Sequence, residues 1–235
     1  MDATTLERLD TLVSGGRLAG ALERLNLLSG CRFTALFRFG GSELRNLVLI
    51  DRQDPYASVW AAAPIDQSYC HFVQQSGDAF VIADSAGDAR LEGHPKRPVV
   101  RTYLGFPVKA GGSLFGTLCH FDFDVVEVPD AVVALTRAFA ASLDPHAAVD
   151  GLQRALDRRL ESLRLMTGEI LLASSSRGEA LEAFEEYAEP LRREADRVLD
   201  DVAARAFHNR ITALTAMFDS LAAIAVPDTR SSSAA

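Results

Sequence analysis

The chain has 235 residues, 48% of them hydrophobic and 24% charged, enough to bury a real core in one domain with an extension or in two small domains. Its formal net charge of −8 argues against a general nucleic-acid binder, which needs a basic face to neutralise phosphates, and against adhesion to an anionic membrane surface. No apolar run approaches the roughly 20 residues that span a bilayer, the acidic start MDATTLERLD does not read as a signal peptide, and Cys31, Cys70 and Cys119 are too few and too widely spaced for a disulfide framework, so reduced thiols in a cytoplasmic protein are expected.

Along the chain, TTLERLDTLV opens with Thr4 and Glu7 in a capping-box spacing and continues with Leu6, Leu9 and Val13 at helical intervals. Gly15 and Gly16 break that helix, and RLAGALERLNLLSG forms a second one that Gly30 terminates. The period then changes. CRFTALFRFGG alternates Phe33, Ala35, Phe37 and Phe39 with Arg32, Thr34 and Arg38, which predicts a strand closed by a glycine turn, and ELRNLVLIDRQ returns. YASVWAAAP is ambiguous and stops at Pro64. Asp66 is placed to cap a short helix, QSYCHFVQQ, ending near Gly77. AFVIAD reads as a buried strand, and SAGDARLEGHPKRPVV as an aperiodic loop with room for one helical turn. TYLGFPVKAGGSLFGTLCHFDFD is a hairpin turning at Gly111 and Gly112, and Pro129 starts the helix PDAVVALTRAFAASL.

Beyond residue 145 no strand signal remains. Val149, Leu152, Leu156, Leu160, Leu163 and Ile170 step by threes and fours, Ser176 and Glu179 form another capping box, and a second apolar stripe continues to Leu221. Pro190 should kink or divide this stretch, and Glu189–Arg193 pairs at helical spacing. The expected organisation is an α+β domain with N-terminal helices over 1–145, a helical dimerisation or output region with coiled-coil character over 146–226, and a disordered tail over 227–235.

Residues 68–122 resemble the GAF family of small-molecule sensor domains. The landmarks arrive in the family's order: the short helix with SYC, the strand FVIAD closed by Asp84, the loop DARLEGHP, then YLGFPVKAGGSLFGTLCHFD with its aromatic-x-Gly-x-Pro strand, glycine turn and Gly-Thr-Leu-Cys strand. As topology the resemblance extends over about 17–145. It implies a central antiparallel sheet of five or six strands with helices on one face and, on the other, a pocket under the 85–101 loop. It also implies a bacterial signalling role, since members bind cyclic nucleotides, haem, bilins, amino or keto acids or simple ions, or serve as ligand-free dimerisation modules. Without the family, Asp84 is placed to accept hydrogen bonds from the backbone of the following loop, while Gly105, Gly116 and Pro107 read as shape residues at close approaches, bulges or an edge.

The candidate pocket wall is Trp60, Tyr69, Cys70, Asp84, Arg90, Arg101, Tyr103 and Phe121, aromatics with a few polar groups suited to a small ligand of unknown identity. Cys70-His71 on a helix and Cys119-His120 on a strand cannot each turn both side chains to one metal, and zinc-type spacing is absent, so no metal or cofactor is expected. The cysteine of bilin-binding relatives lies later, in the loop, and no cysteine stands between Asp84 and Gly116 as a sulfoxide reductase of the family would need. No nucleophile elbow, phosphate loop or dinucleotide fingerprint marks an enzyme. His208, in HNRITAL, loosely resembles the phosphoacceptor helix of histidine kinases, though no ATP-binding domain follows within these residues. Four functions compete: a ligand sensor signalling through its C-terminal helices as a homodimer to a protein partner, a ligand-free dimeric scaffold, a His208 phosphotransfer module, and a thiol redox sensor using Cys70 or Cys119.

Overall fold

The computed structural model describes residues 3–54 and 62–226. The chain forms two compact units with their boundary between Leu152 and Gln153. Trp60 and the tail 227–235 lie outside the described residues.

The first unit opens with helices α1 (Ala3–Ser14) and α2 (Leu18–Ser29). Thr4 falls inside the first turn of α1 and not at its cap, whereas Gly30 ends α2 in the left-handed conformation (φ 75°) that glycine adopts without strain. Among the described residues six antiparallel strands follow: β1 (Phe33–Gly40), β2 (Glu43–Asp51), β3 (Ala63–Pro64), β4 (Phe80–Ile82), β5 (Thr102–Ala110) and β6 (Ser113–Asp122). Their order across the sheet is β3-β2-β1-β6-β5-β4. Helix α3 (Cys70–Ser76) precedes β4, and α4 (Asp130–Ser142) follows β6 behind Pro129.

Both faces of the sheet are covered, because the long strands β1, β2, β5 and β6 carry buried apolar groups at odd and even positions. Leu36, Leu104, Phe106, Val108 and Leu118 face α1, α2 and α4, where they meet Leu9, Leu22, Leu25 and Phe139. Phe33, Ala35, Phe37, Cys119, Phe121 and Tyr103 face the other way, toward α3 and Leu91 of the 85–101 loop. Two bulges adjust this pattern. The β1–β2 register steps from Leu36↔Val48 to Phe37↔Asn46, so Leu47 is the extra residue and joins Val48 on the helix side.

The shape residues have visible reasons. A Cβ on Gly116 would stand 1.9 Å from the Phe37 carbonyl oxygen of the neighbouring strand. Pro107 sits beyond the reach of β4, whose pairing with β5 runs from Ile82↔Tyr103 to Phe80↔Gly105, so its missing N–H leaves no gap in that ladder. A short 3-10 turn (Ile65–Gln67) contains Asp66, whose side chain caps neither that turn nor α3. Gly77 ends α3 in the left-handed conformation.

The second unit holds the rest of α5 (Pro145–Ala173) with α6 (Arg177–Val198) and α7 (Asp201–Ala225). Phe184 and Phe218 stack at 4.6 Å between α6 and α7. Ser176 caps α6 by accepting from the Glu179 amide, while Glu179 reaches back one residue further than a capping box requires, to the Ser175 amide and hydroxyl. Pro190 does not divide the stripe: α6 runs through it. The break falls instead at Leu199–Asp200, where the Asp200 carboxylate accepts from the amides of Val202 and Ala203 and starts α7.

Candidate functional site

The site lies on the sheet face opposite α1, α2 and α4. Its floor begins with Gly105. Tyr103 and Gly105 share one face of β5, and a Cβ on Gly105 would stand 2.3 Å from the Tyr103 hydroxyl. Only a glycine lets the Tyr103 ring lie back over the strand. There its hydroxyl donates to Cys70 Sγ at 3.3 Å. Gly105 also pairs with Cys119 across β5–β6, so Tyr103, Cys70 and Cys119 converge from β5, α3 and β6.

Above this floor is a cavity of about 130 Å³. Phe37, Leu44, Val100 and Phe121 form apolar wall, Tyr69, Tyr103, Ser68, Cys70 and Cys119 supply the polar atoms, and Ala63, Gln67 and Lys96, all exposed, ring the mouth. Cys70 and Cys119 are 1% and 0% exposed. Burial holds the Cys119 thiol and the Tyr103 hydroxyl well above their ordinary ranges. Burial also pushes the Cys70 thiol up, but hydrogen bonds from Cys119, Ser68 and Tyr103 favour its thiolate, and the balance falls below the ordinary thiol value.

The 85–101 segment is a strap and not a bare loop. Two 3-10 turns, Ser85–Gly87 and Ala89–Leu91, are each started by an aspartate that accepts from the amide two residues on: Asp84 from Ala86, Asp88 from Arg90. Asp84 also takes Arg101 Nε and Nη2 at 3.0 and 2.9 Å, so one ion pair ties the two ends of the strap together. The Ala86 amide first, then Arg101, holds the Asp84 carboxyl below the usual range. Ser85 and Arg97 exchange further bonds within the strap. Arg90 lies over the Phe80 ring at 4.7 Å and grips Asp88. Leu91 is fully buried against the pocket-side core. Tyr69 joins α3 to the strap, its hydroxyl donating to the Val100 carbonyl at 3.3 Å and its ring 4.8 Å from His94.

Of the residues expected at the wall, the structure brings Tyr69, Cys70, Tyr103 and Phe121 together around the cavity. Asp84, Arg90 and Arg101 lie outside its lining and fasten the strap. As cavity lining, sequence reasoning missed Phe37, Leu44, Ala63, Gln67, Ser68, Lys96, Val100 and Cys119, the last weighed only as a metal-site or redox cysteine. Two of these had a signal, since Phe37 alternates with Ala35 and Phe33, and Cys119 with Phe121.

His120 turns to the opposite face from Cys119, so a mixed cysteine–histidine pair with Cys70 does not form. Its Nε2–H donates to Thr136 Oγ1 at 3.0 Å, because that hydroxyl spends its own proton on the Val132 carbonyl. Nδ1 then accepts from Thr34 at 2.7 Å, and Thr34 accepts from Asn26 at 3.0 Å. Burial lowers the His120 pKa from 6.5 to about 3. This chain links α2, β1, β6 and α4 through neutral groups only. Among the described residues no group of three or more His, Cys, Asp or Glu side chains is arranged to hold a metal ion, and no helix is long and apolar enough to cross a membrane. In the second unit His208 is about one-third exposed, and its Nε2 lies 2.9 Å from an Asp196 carboxylate oxygen.

Comparison with solved structures adds the fold. The GAF domain of a phosphoenolpyruvate-protein phosphotransferase from Acinetobacter superposes with a TM-score of 0.51 at 13% identity, covering 63% of this chain and 95% of that one. A corresponding domain from Coxiella burnetii gives 0.46 at 15%, covering 62% and 89%. Free methionine-R-sulfoxide reductase from Neisseria meningitidis gives 0.43 at 16%, covering 61% and 87%. No curated protein matches the sequence. The family model described as GAF domain matches residues 16–143, more than half of the chain and the stretch that carries the sheet, the strap and the cavity. The chain belongs to the GAF domain family.

Proposed function

We propose that this chain is a sensory GAF protein that binds a small molecule in the cavity under the 85–101 strap and passes the response through its C-terminal helices to a protein partner. The cavity carries the reading. A ligand-free scaffold gains stability by filling its interior, yet here about 130 Å³ stays open among four aromatic rings and a few polar atoms, with a cationic Lys96 at the mouth. The volume suits a compact ligand of a few heavy atoms to a single ring. Ligand contacts with Tyr69 and Val100 would bear directly on the strap, and the shift available equals only the ligand's preference between strap states, typically about 1–3 kcal/mol.

For output, α7 offers Met217, Leu221 and Ile224, exposed at intervals of four and three on one helical face. α5 offers Leu165 and Leu172, seven residues apart and 67% and 90% exposed. These stripes support pairing with a second copy or a signalling partner, in the cytoplasm of a bacterial cell. Native mass spectrometry of the purified protein tests the reading. Excess mass in a gentle spectrum that leaves on denaturation supports a bound small molecule and gives its mass. Bare protein after incubation with a small-molecule extract of the expressing cells goes against it.

A further inference from the structure

We propose that Cys70 and Cys119 form a redox couple on the cavity floor, closed to a disulfide by a small organic hydroperoxide entering between Gln67 and Lys96. The proposal rests on the sensory reading only in using the same open cavity. It needs no reversible ligand.

The three cysteines are all reduced and buried, but not equivalent. Cys31 packs in the helix-side core among Leu22, Leu25 and their neighbours, and burial pushes its thiol up to about 12. Such a thiol is inert. Cys70 and Cys119 instead line the cavity from facing elements, α3 and β6, within one buried cluster. The Tyr103 hydroxyl fixes Cys70 Sγ from a third direction. Burial usually silences a cysteine by denying access. Here both thiols, 1% and 0% exposed, border the cavity, and its apolar wall of Phe37, Val100 and Phe121 accepts the organic part of a peroxide better than water.

The chemistry balances without a cofactor. Cys70 sulfur attacks the terminal peroxide oxygen: an S–O bond forms, the O–O bond breaks, and the departing alkoxide leaves as an alcohol with the proton Cys70 gives up. Cys119 sulfur then attacks the Cys70 sulfenic acid: the S–S bond forms, the S–O bond breaks, and hydroxide departs as water with the Cys119 proton. Two thiols lose two electrons, and one hydroperoxide becomes one alcohol and one water. The disulfide would staple α3 to β6 and weaken Cys70 Sγ as the acceptor of the Tyr103 hydroxyl, altering the cavity floor.

The test treats the full-length reduced protein with tert-butyl hydroperoxide and counts alkylatable thiols in denaturant by intact mass, with peptide mapping. The count is expected to fall from three to one, with Cys70 linked to Cys119, Cys31 unreacted, and dithiothreitol restoring all three. Cys31→Ser should lose both remaining thiols, and Cys70→Ser should keep both of its own. An unchanged count, a stable sulfinic acid on Cys70 without the crosslink, or oxidation spread to Cys31 overturns the couple. The wild-type count stands even if a variant misfolds. A small molecule retained under reducing conditions in the native spectrum reads the sensory proposal separately, so either can fail alone.

Discussion

His120 should make the first unit lose stability in mild acid, well before most carboxylates titrate. Folded, the imidazole sits between Thr34 and Thr136 and is neutral, with a pKa lowered from 6.5 to about 3 by burial. Unfolded, it takes a proton below pH 6.5. Between these values the unfolded chain binds the extra proton, so stability falls as pH falls. At pH 5 the gap from the unfolded value is one and a half units, and at about 1.4 kcal/mol per unit the loss is about 2 kcal/mol, rising to about 3 kcal/mol at pH 4. Amide hydrogen exchange of β1 and β6 reads the opening free energy of this unit directly. The comparison is His120→Gln, whose amide keeps a donor and an acceptor but does not titrate. Between pH 7.5 and 5 the wild type should lose about 2 kcal/mol more than the variant. Equal slopes would refute the assignment of a neutral, proton-refusing histidine.

Other outcomes follow from the same geometry. Gly105→Ala should displace the Tyr103 ring from Cys70 and cost about 1–3 kcal/mol by denaturant titration, and unchanged stability would mean the ring has another place to lie. Gly116→Ala cannot be relieved by a side-chain rotation, because its Cβ meets the Phe37 carbonyl, so its cost should exceed that of Gly105→Ala and the β1–β6 amides should lose protection. Asp84→Ala should unfasten the strap: exchange over 85–101 should speed up while exchange in β1 and β6 stays unaltered, since the Asp84–Arg101 pair is substantially exposed. Asp200→Ala should remove the α7 cap and cost the second unit about 1 kcal/mol, leaving exchange in the sheet unaltered.

Much of the fold was legible because the signals were local. The change from helical to alternating period at Phe33, the glycine turns and the order of the GAF landmarks mark the sheet and its flanking helices. Asp84 could be read as the anchor of the following segment, because a short acceptor at a strand end bonds the nearby amides wherever the rest of the chain goes. Pro190 does not divide α6, because a proline costs a helix one hydrogen bond and some strain, and buried Phe184, Leu191 and Ala195 around it sustain the helix. Asp66 misled, since a capping residue type is no guarantee of a capping conformation.

The site was legible only in part. Alternation tells that Phe37, Cys119 and Phe121 share a face, but not that this face holds the cavity, because apolar groups cover both sides of the sheet. Arg90 and Arg101 suggested ligand contacts by residue type, whereas their partners, Asp88 and Asp84, lie close enough in the strap to claim them. The meeting of Cys70 with Cys119 depends on the docking of α3 on β6, a long-range contact that no local pattern encodes.

The central claim is that the cavity admits a small molecule through the mouth at Ala63, Gln67 and Lys96. Native mass spectrometry of the wild type beside Ala63→Trp, after incubation with a small-molecule extract of the expressing cells, tests it most directly. Ala63 is exposed, so the variant should fold and plug the mouth. The account predicts a non-covalent excess mass on the wild type that leaves on denaturation and is missing from the variant. Bare spectra for both, or an equal excess on both, would contradict it.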